Sequence, residues 1–145
     1  MSRLKKIRVP LSLRFRDLDA MGHVNNAVFF TYFEEGRKDF LHRVLGVVRP
    51  EDYFFILAKI DCEFLAALTL EDTSILEIWI GKIGKKSFTF RYRILDKEDP
   101  SRVFATGESI QVFFDYQAGC TMQAPAGFTE KASSYVEAQV ENPPE

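Results

Sequence analysis

Tryptophan occurs once in this chain of 145 residues, and cysteine and histidine only twice each. Cys62 and Cys120 are far apart, form no CxxC pair and stand beside no histidine. No metal site is expected from them, and both read as ordinary reduced thiols of a cytoplasmic protein. Positive charge is not in excess: 19 Lys and Arg face 21 Asp and Glu, so nothing global points to nucleic acid. The short basic run at residues 3 to 6 (RLKK) is read as a solvated arm leading into a strand. No segment reaches the roughly 18 uninterrupted apolar residues of a membrane span, and the N-terminus lacks the apolar core of a secretion signal. A soluble cytoplasmic protein is therefore expected, with no membrane association. Repeats and internal linkers are missing too, so residues 1–145 are read as one domain.

What the chain does have is phenylalanine. Fourteen Phe suggest a core, or a pocket, lined by flat apolar rings. Residues 7 to 16 alternate: Val9, Leu11, Leu13 and Phe15 on one side, arginines and Ser12 on the other. That is the pattern of a half-buried strand, and Pro10 places it at an edge or a bulge. From about Asn26 the period becomes helical, with Phe29, Phe33, Gly36, Phe40 and Val44 in one stripe widened by Phe30, Leu41 and Leu45. The helix is expected to stop at Leu45, before Gly46. Gly36 inside it implies close approach to a sheet, since glycine there costs about 1 kcal/mol against alanine.

Four β-like runs follow, at 54–67, 73–83, 87–96 and 102–115, joined by short turn-like segments. Short joins imply antiparallel neighbours. A short helix is expected near Thr129 to Val136. The order is β-α-β-β-β-β, in the α+β class. Its economical solution is a five-stranded antiparallel sheet curled around one long helix, with open edges that favour self-association.

Polar chemistry concentrates in one stretch, RDLDAMGHVNN at residues 16 to 26. One reading is capping. Asn25 or Asn26 closes the helix start, Asp19 favours the positive end of the helix dipole, and Gly22 makes a turn at positive φ. The other reading is a site. Free N–H groups at a helix start polarise a carbonyl oxygen, and a carboxylate held close attacks the carbonyl carbon or deprotonates a water. Thioesters suit that pairing, and a neighbouring apolar surface would take an acyl chain.

The segment DLDAMGHVNNAVFFTYFEEGRKDFL resembles the hotdog-fold acyl-CoA thioesterases of the 4-hydroxybenzoyl-CoA thioesterase-like family. It matches in an Asp-x-Asp (Asp17, Asp19), a Gly three residues on (Gly22), and an aromatic helix with Glu34 and Arg37. The likeness covers about residues 6 to 116, leaving a tail from 118. It implies that Asp19 is the catalytic general base or nucleophile. It also implies that the backbone N–H near Asn26 holds the thioester oxygen, with Gly22, Asn25 and Phe29 shaping the substrate site. Asp17 is expected to fix the loop, and Glu34 with Arg37 to form a structural i,i+3 pair. His23 assists catalysis in the branch that includes plant-type acyl-carrier-protein thioesterases. This chain departs from that branch in having Met21 for an Asn. It also has Phe29 where the family commonly has Tyr, and Asn26 where some branches place their histidine. The run GKIGKKSF reads as a solvated basic hairpin or, by its resemblance to family segments near the CoA phosphates, as a site where Lys85, Lys86 and Ser87 supply charge and hydrogen bonds.

The expected activity is hydrolysis of an acyl-CoA to free acid and CoA, without cofactor or metal, by a homodimer or dimer of dimers. An acyl-carrier-protein thioesterase and a non-catalytic acyl-CoA-binding hotdog protein are the alternatives. Hydratase chemistry fits less well, because Asp19 and His23 stand one residue too close for that pattern.

Overall fold

The computed structural model describes residues 3–137. Its long helix, α1, spans Asn26–Leu45, as the periodicity predicts. Its ends are set locally. The Asn25 side chain accepts the Ala27 N–H, and Gly46 takes the left-handed conformation at φ +69°, donating to the His42 carbonyl. That closure needs no help from the rest of the fold.

The strands are β1 (Ile7–Pro10), β2 (Phe55–Phe64), β3 (Ser74–Ile83), β4 (Ser87–Asp96) and β5 (Val103–Asp115). A two-residue β6 (Cys120–Thr121) pairs with β5 and makes the sheet six-stranded rather than five-stranded. All pairings are antiparallel, and the order is β1-β3-β4-β5-β2. The expected helix near residue 129 is α2 (Phe128–Ala132), continued by a 3-10 turn at Ser133–Tyr135.

Two expectations need correcting. The first strand was to run to residue 16, but it ends at Pro10. Its partner β3 begins at Ser74, whose carbonyl takes the Leu11 N–H at 3.0 Å, and no strand lies beyond to pair with. The chain then coils into a 3-10 turn at Phe15–Asp17, leaving Phe15 84% exposed. The second concerns neighbours. β3, β4 and β5 follow one another as hairpins, but β2 lies at the far edge against β5. The join at residues 65–73 is therefore a crossover. It is pinned by a hydrogen bond from the Val24 N–H to the Leu68 carbonyl (2.8 Å) and by the burial of Leu68.

The core lies between α1 and the sheet. Phe33 stacks on Tyr92 of β4 with centroids 4.2 Å apart, and Phe40 meets Phe90 edge-on. Gly36 admits the approach: a Cβ there would stand 2.5 Å from a methyl of Leu76 on β3. At the far end of the sheet Phe54, Phe55, Phe88, Phe113 and Phe128 form a ring cluster that fastens α2. Arg37 is buried, and its main contact is not Glu34. It donates to the Tyr92 hydroxyl at 3.0 Å, whereas Glu34 is 75% exposed and 3.9 Å away. The chain continues through Ser109 and Gln111 to the Phe88 carbonyl, so this polar thread inside the core is satisfied.

Candidate active site

The loop before α1 is a tight hairpin. Leu18 bridges Val24, the Asp19 N–H donates to the His23 carbonyl (2.8 Å), and the Gly22 N–H donates to the Asp19 carbonyl (3.1 Å). Gly22 turns the chain at φ +77°, a conformation that glycine adopts without strain. The Asp19 carboxylate folds back over its own turn, with Oδ1 accepting the N–H groups of Met21 (2.9 Å) and His23 (3.3 Å). One oxygen is thus committed to the backbone; among the described residues Oδ2 has no partner. That oxygen is the chemically available one.

Behind the turn stands Asp17. Its Oδ2 accepts the Tyr32 hydroxyl at 2.8 Å and the Arg14 N–H at 3.0 Å, while its carbonyl takes the Asn25 N–H at 2.8 Å. Asp17 therefore ties the loop to the helix. Burial and the adjacent Asp17 carboxylate push the Tyr32 phenol above its ordinary pKa, so it stays protonated and donating. The Asn25 cap uses the Ala27 N–H, and its carbonyl takes that of Val28. Among the described residues nothing accepts the Asn26 N–H.

A cavity of about 310 Å³ opens in front of these groups. Asp19, His23, Asn26 and Phe29 line it, together with residues 64–68 from the end of β2 and the crossover. Phe64 stands edge-on to Phe29 at 5.2 Å and forms one wall. So the fold brings together four of the residues singled out in the sequence. Gly22 and Asn25 are not among its lining residues; they shape the turn and cap the helix.

Lys85, Lys86 and Ser87 are elsewhere in the chain. Ser87 pairs with Val112 of β5, and Val112 with Ile56 at the start of β2. Phe64, at the cavity, pairs with Ala105. Seven residues along β5 separate the two ends, or ~23 Å. Sequence reasoning missed Phe64 and the 65–68 segment: residues up to 67 read as a β-like run and the join after them (ALTLED) as a turn, and neither pattern shows that the segment crosses the helix mouth. Tyr32 was also missed, and its hydroxyl amid an apolar helix was the available signal.

The Thioesterase-like superfamily model matches residues 13–134. Among solved structures, "a putative acyl-CoA thioesterase from Xanthomonas campestris" is 31% identical with a TM-score of 0.72, over 81% of this chain and 98% of that one. A Thermus thermophilus thioesterase complexed with coenzyme A and Zn is 27% identical with a TM-score of 0.76, over 88% of this chain and 92% of that one. The uncharacterized protein YsmA of Bacillus subtilis is 26% identical over 57% of this chain, and the match spans only 56% of YsmA.

Proposed function

The chain belongs to the thioesterase-like superfamily, and from that membership we propose that it hydrolyses an acyl-CoA to a free carboxylic acid and CoA at the mouth of α1. The observation that carries the reading is Asp19. One carboxylate oxygen is fixed by two backbone N–H groups, the other has no partner among the described residues, and Asp19 lines the same cavity as Asn26.

The thioester carbonyl oxygen accepts from the Asn26 N–H at the positive end of the helix, which stabilises the charge that develops on attack. Asp19 takes the proton of a water whose oxygen bonds to the carbonyl carbon, or bonds there itself. In both cases the C–S bond breaks and the leaving thiolate is protonated to CoA; on the second route a water then cleaves the acyl–Asp19 anhydride, releasing the acid and restoring the carboxylate. The acyl group lies against Phe29 and Phe64. His23, exposed at the rim, is in place to assist.

The active unit is a homodimer joined along β2. That strand is a ten-residue edge with unpaired backbone groups, and it exposes Ile56, Leu57 and Phe64. Pairing β2 antiparallel with its copy sets the start of one strand beside the end of the other. The partner's hairpin then stands three strand spacings from the cavity, ~14 Å. This is how the partner's Lys85 and the partner's Lys86 come to serve the CoA phosphates, which residues ~23 Å away in the same protomer do not.

The test is thiol release from acyl-CoA by Asp19→Asn. The amide oxygen can still accept from Met21 and His23, so the melting temperature should hold while kcat falls ~100-fold or more. Unchanged turnover in a folded variant would refute the assignment. Parallel assays with acyl-carrier-protein substrates decide the donor.

A further inference from the structure

A second cleft, of about 740 Å³, opens along β1, on the sheet edge opposite β2. Six of the chain's 19 cationic residues line it: Arg3, Lys5, Lys6, Arg8, Arg43 and Arg93. Among the described residues a single acidic one, Glu77, does so. The basic run near the N-terminus is thus not a free solvated arm. It is pinned to the tail by the Lys5 N–H donating to the Ser134 carbonyl at 2.8 Å, and it forms one wall of the cleft.

Glu77 is 2% exposed and fully engaged. It accepts from Arg8 Nε at 3.0 Å on one oxygen and from Arg93 Nη2 at 2.7 Å on the other. Those bonds hold two guanidinium groups, one from β1 and one from β4, against the same carboxylate. Arg43 is likewise tethered, through Nη1 to the Arg8 carbonyl at 3.2 Å. Compensation of the buried Glu77 explains Arg8 and Arg93, but Arg3, Lys5 and Arg43 have no acidic partner among the described residues. Like charges held together repel, and a chain richer in acid than base could have neutralised them. Fixed guanidinium forks are suited to phosphate oxygens, since little ordering remains to be done on binding.

We propose that this cleft is a binding site for a compact polyanion carrying two or more phosphate groups, separate from the thioester site. Arg43 stands 17 residues along α1 from Asn26, ~25 Å at helical rise, so one ligand atom cannot serve both places. Six cationic side chains in one cleft carry more charge than a single phosphate balances, which suits a di- or triphosphate. A soluble nucleotide and a cluster of anionic lipid headgroups both present that chemistry.

Isothermal titration of the full chain with inorganic pyrophosphate and with ATP tests the site, alongside co-sedimentation with phosphatidylglycerol vesicles. The comparison variant is Lys5→Glu/Arg43→Glu, which leaves the Glu77 pairs untouched. The wild type should bind in a salt-sensitive manner and gain melting temperature, and the variant should bind ~10-fold or more weakly with thiol release unchanged. Binding to soluble polyphosphate identifies a free ligand; charge-dependent binding to vesicles alone identifies the lipid source. Equal binding by wild type and a folded variant, or no binding to any of the three probes, would overturn the proposal.

Discussion

Replacing Asp17 with alanine should damage the site without touching its chemistry. Asp17 Oδ2 accepts from Tyr32 and Arg14, and the two losses differ in kind. The Tyr32 hydroxyl belongs to a residue only 4% exposed, so stranding it costs about 2 kcal/mol; the exposed Arg14 N–H recovers water, at under about 1 kcal/mol. Asp17→Ala should therefore cost about 2–3 kcal/mol. Tyr32→Phe removes the same hydrogen bond but strands nothing deeply buried, because Asp17 is half-exposed and keeps Arg14; it should cost about 1 kcal/mol. In the Phe background Asp17→Ala has no hydroxyl left to strand. The double-mutant cycle should thus show coupling of about 1.5 kcal/mol, well above the spread for independent sites. Urea unfolding of the four proteins gives these values, and thiol release gives their consequence. A loosened loop should lower kcat/KM ~10-fold in Asp17→Ala, through misplacement of Asp19. Additivity within about 0.5 kcal/mol, or Tyr32→Phe costing more than Asp17→Ala, would refute the reasoning.

Gly107→Ala should be far more damaging than Gly36→Ala. A Cβ at 107 meets the Asp61 carbonyl at 2.6 Å and the Phe33 ring at 2.5 Å, for a loss of about 3 kcal/mol and ~10 °C in melting temperature. At 36 the obstacle is one rotatable Leu76 methyl, and the helix gains about 1 kcal/mol, so calorimetry should find that variant within about 1 kcal/mol of wild type. Burial pushes the Cys62 thiol up to about 11, so its thiolate is scarce until the pH nears that value; iodoacetamide at pH 8 should label it ~100-fold more slowly than an ordinary cysteine, as read by peptide mass spectrometry. If β2 joins two copies as proposed, wild type should sediment as a dimer and Leu57→Lys, on the exposed β2 edge, as a monomer with reduced turnover.

Much of this molecule is written locally. The helix bounds at Asn26 and Leu45 were readable because Asn25 and Gly46 act on their immediate neighbours. The β3–β4 and β4–β5 hairpins follow from short joins and alternating faces. The stretch from Asp17 to Asn26 could be assigned to a helix mouth for the same reason. What escaped was decided at long range. Leu11, Leu13 and Phe15 alternate as well as any strand, but β3 offers no backbone opposite them. Arg37 has Glu34 one turn away, yet it turns inward to Tyr92, 55 residues distant, where its burial is compensated. The wall that Phe64 builds in front of Phe29 depends on β2 crossing to the far edge, which no local pattern encodes.

That crossover also orders the folding reaction. The β3–β4–β5 meander closes between near neighbours in the chain, and such hairpins form on the microsecond scale. β2 must instead find β5 across 41 to 58 residues, from Phe64–Ala105 to Phe55–Phe113. Its loop-closure entropy is lost before any ladder bond repays it, so β2 docks late. Until then the β5 edge stays open, and the cavity lacks the wall made by Phe64 and the crossover. Docking of β2 therefore does two things at once: it covers the β5 edge and it completes the wall of the cavity.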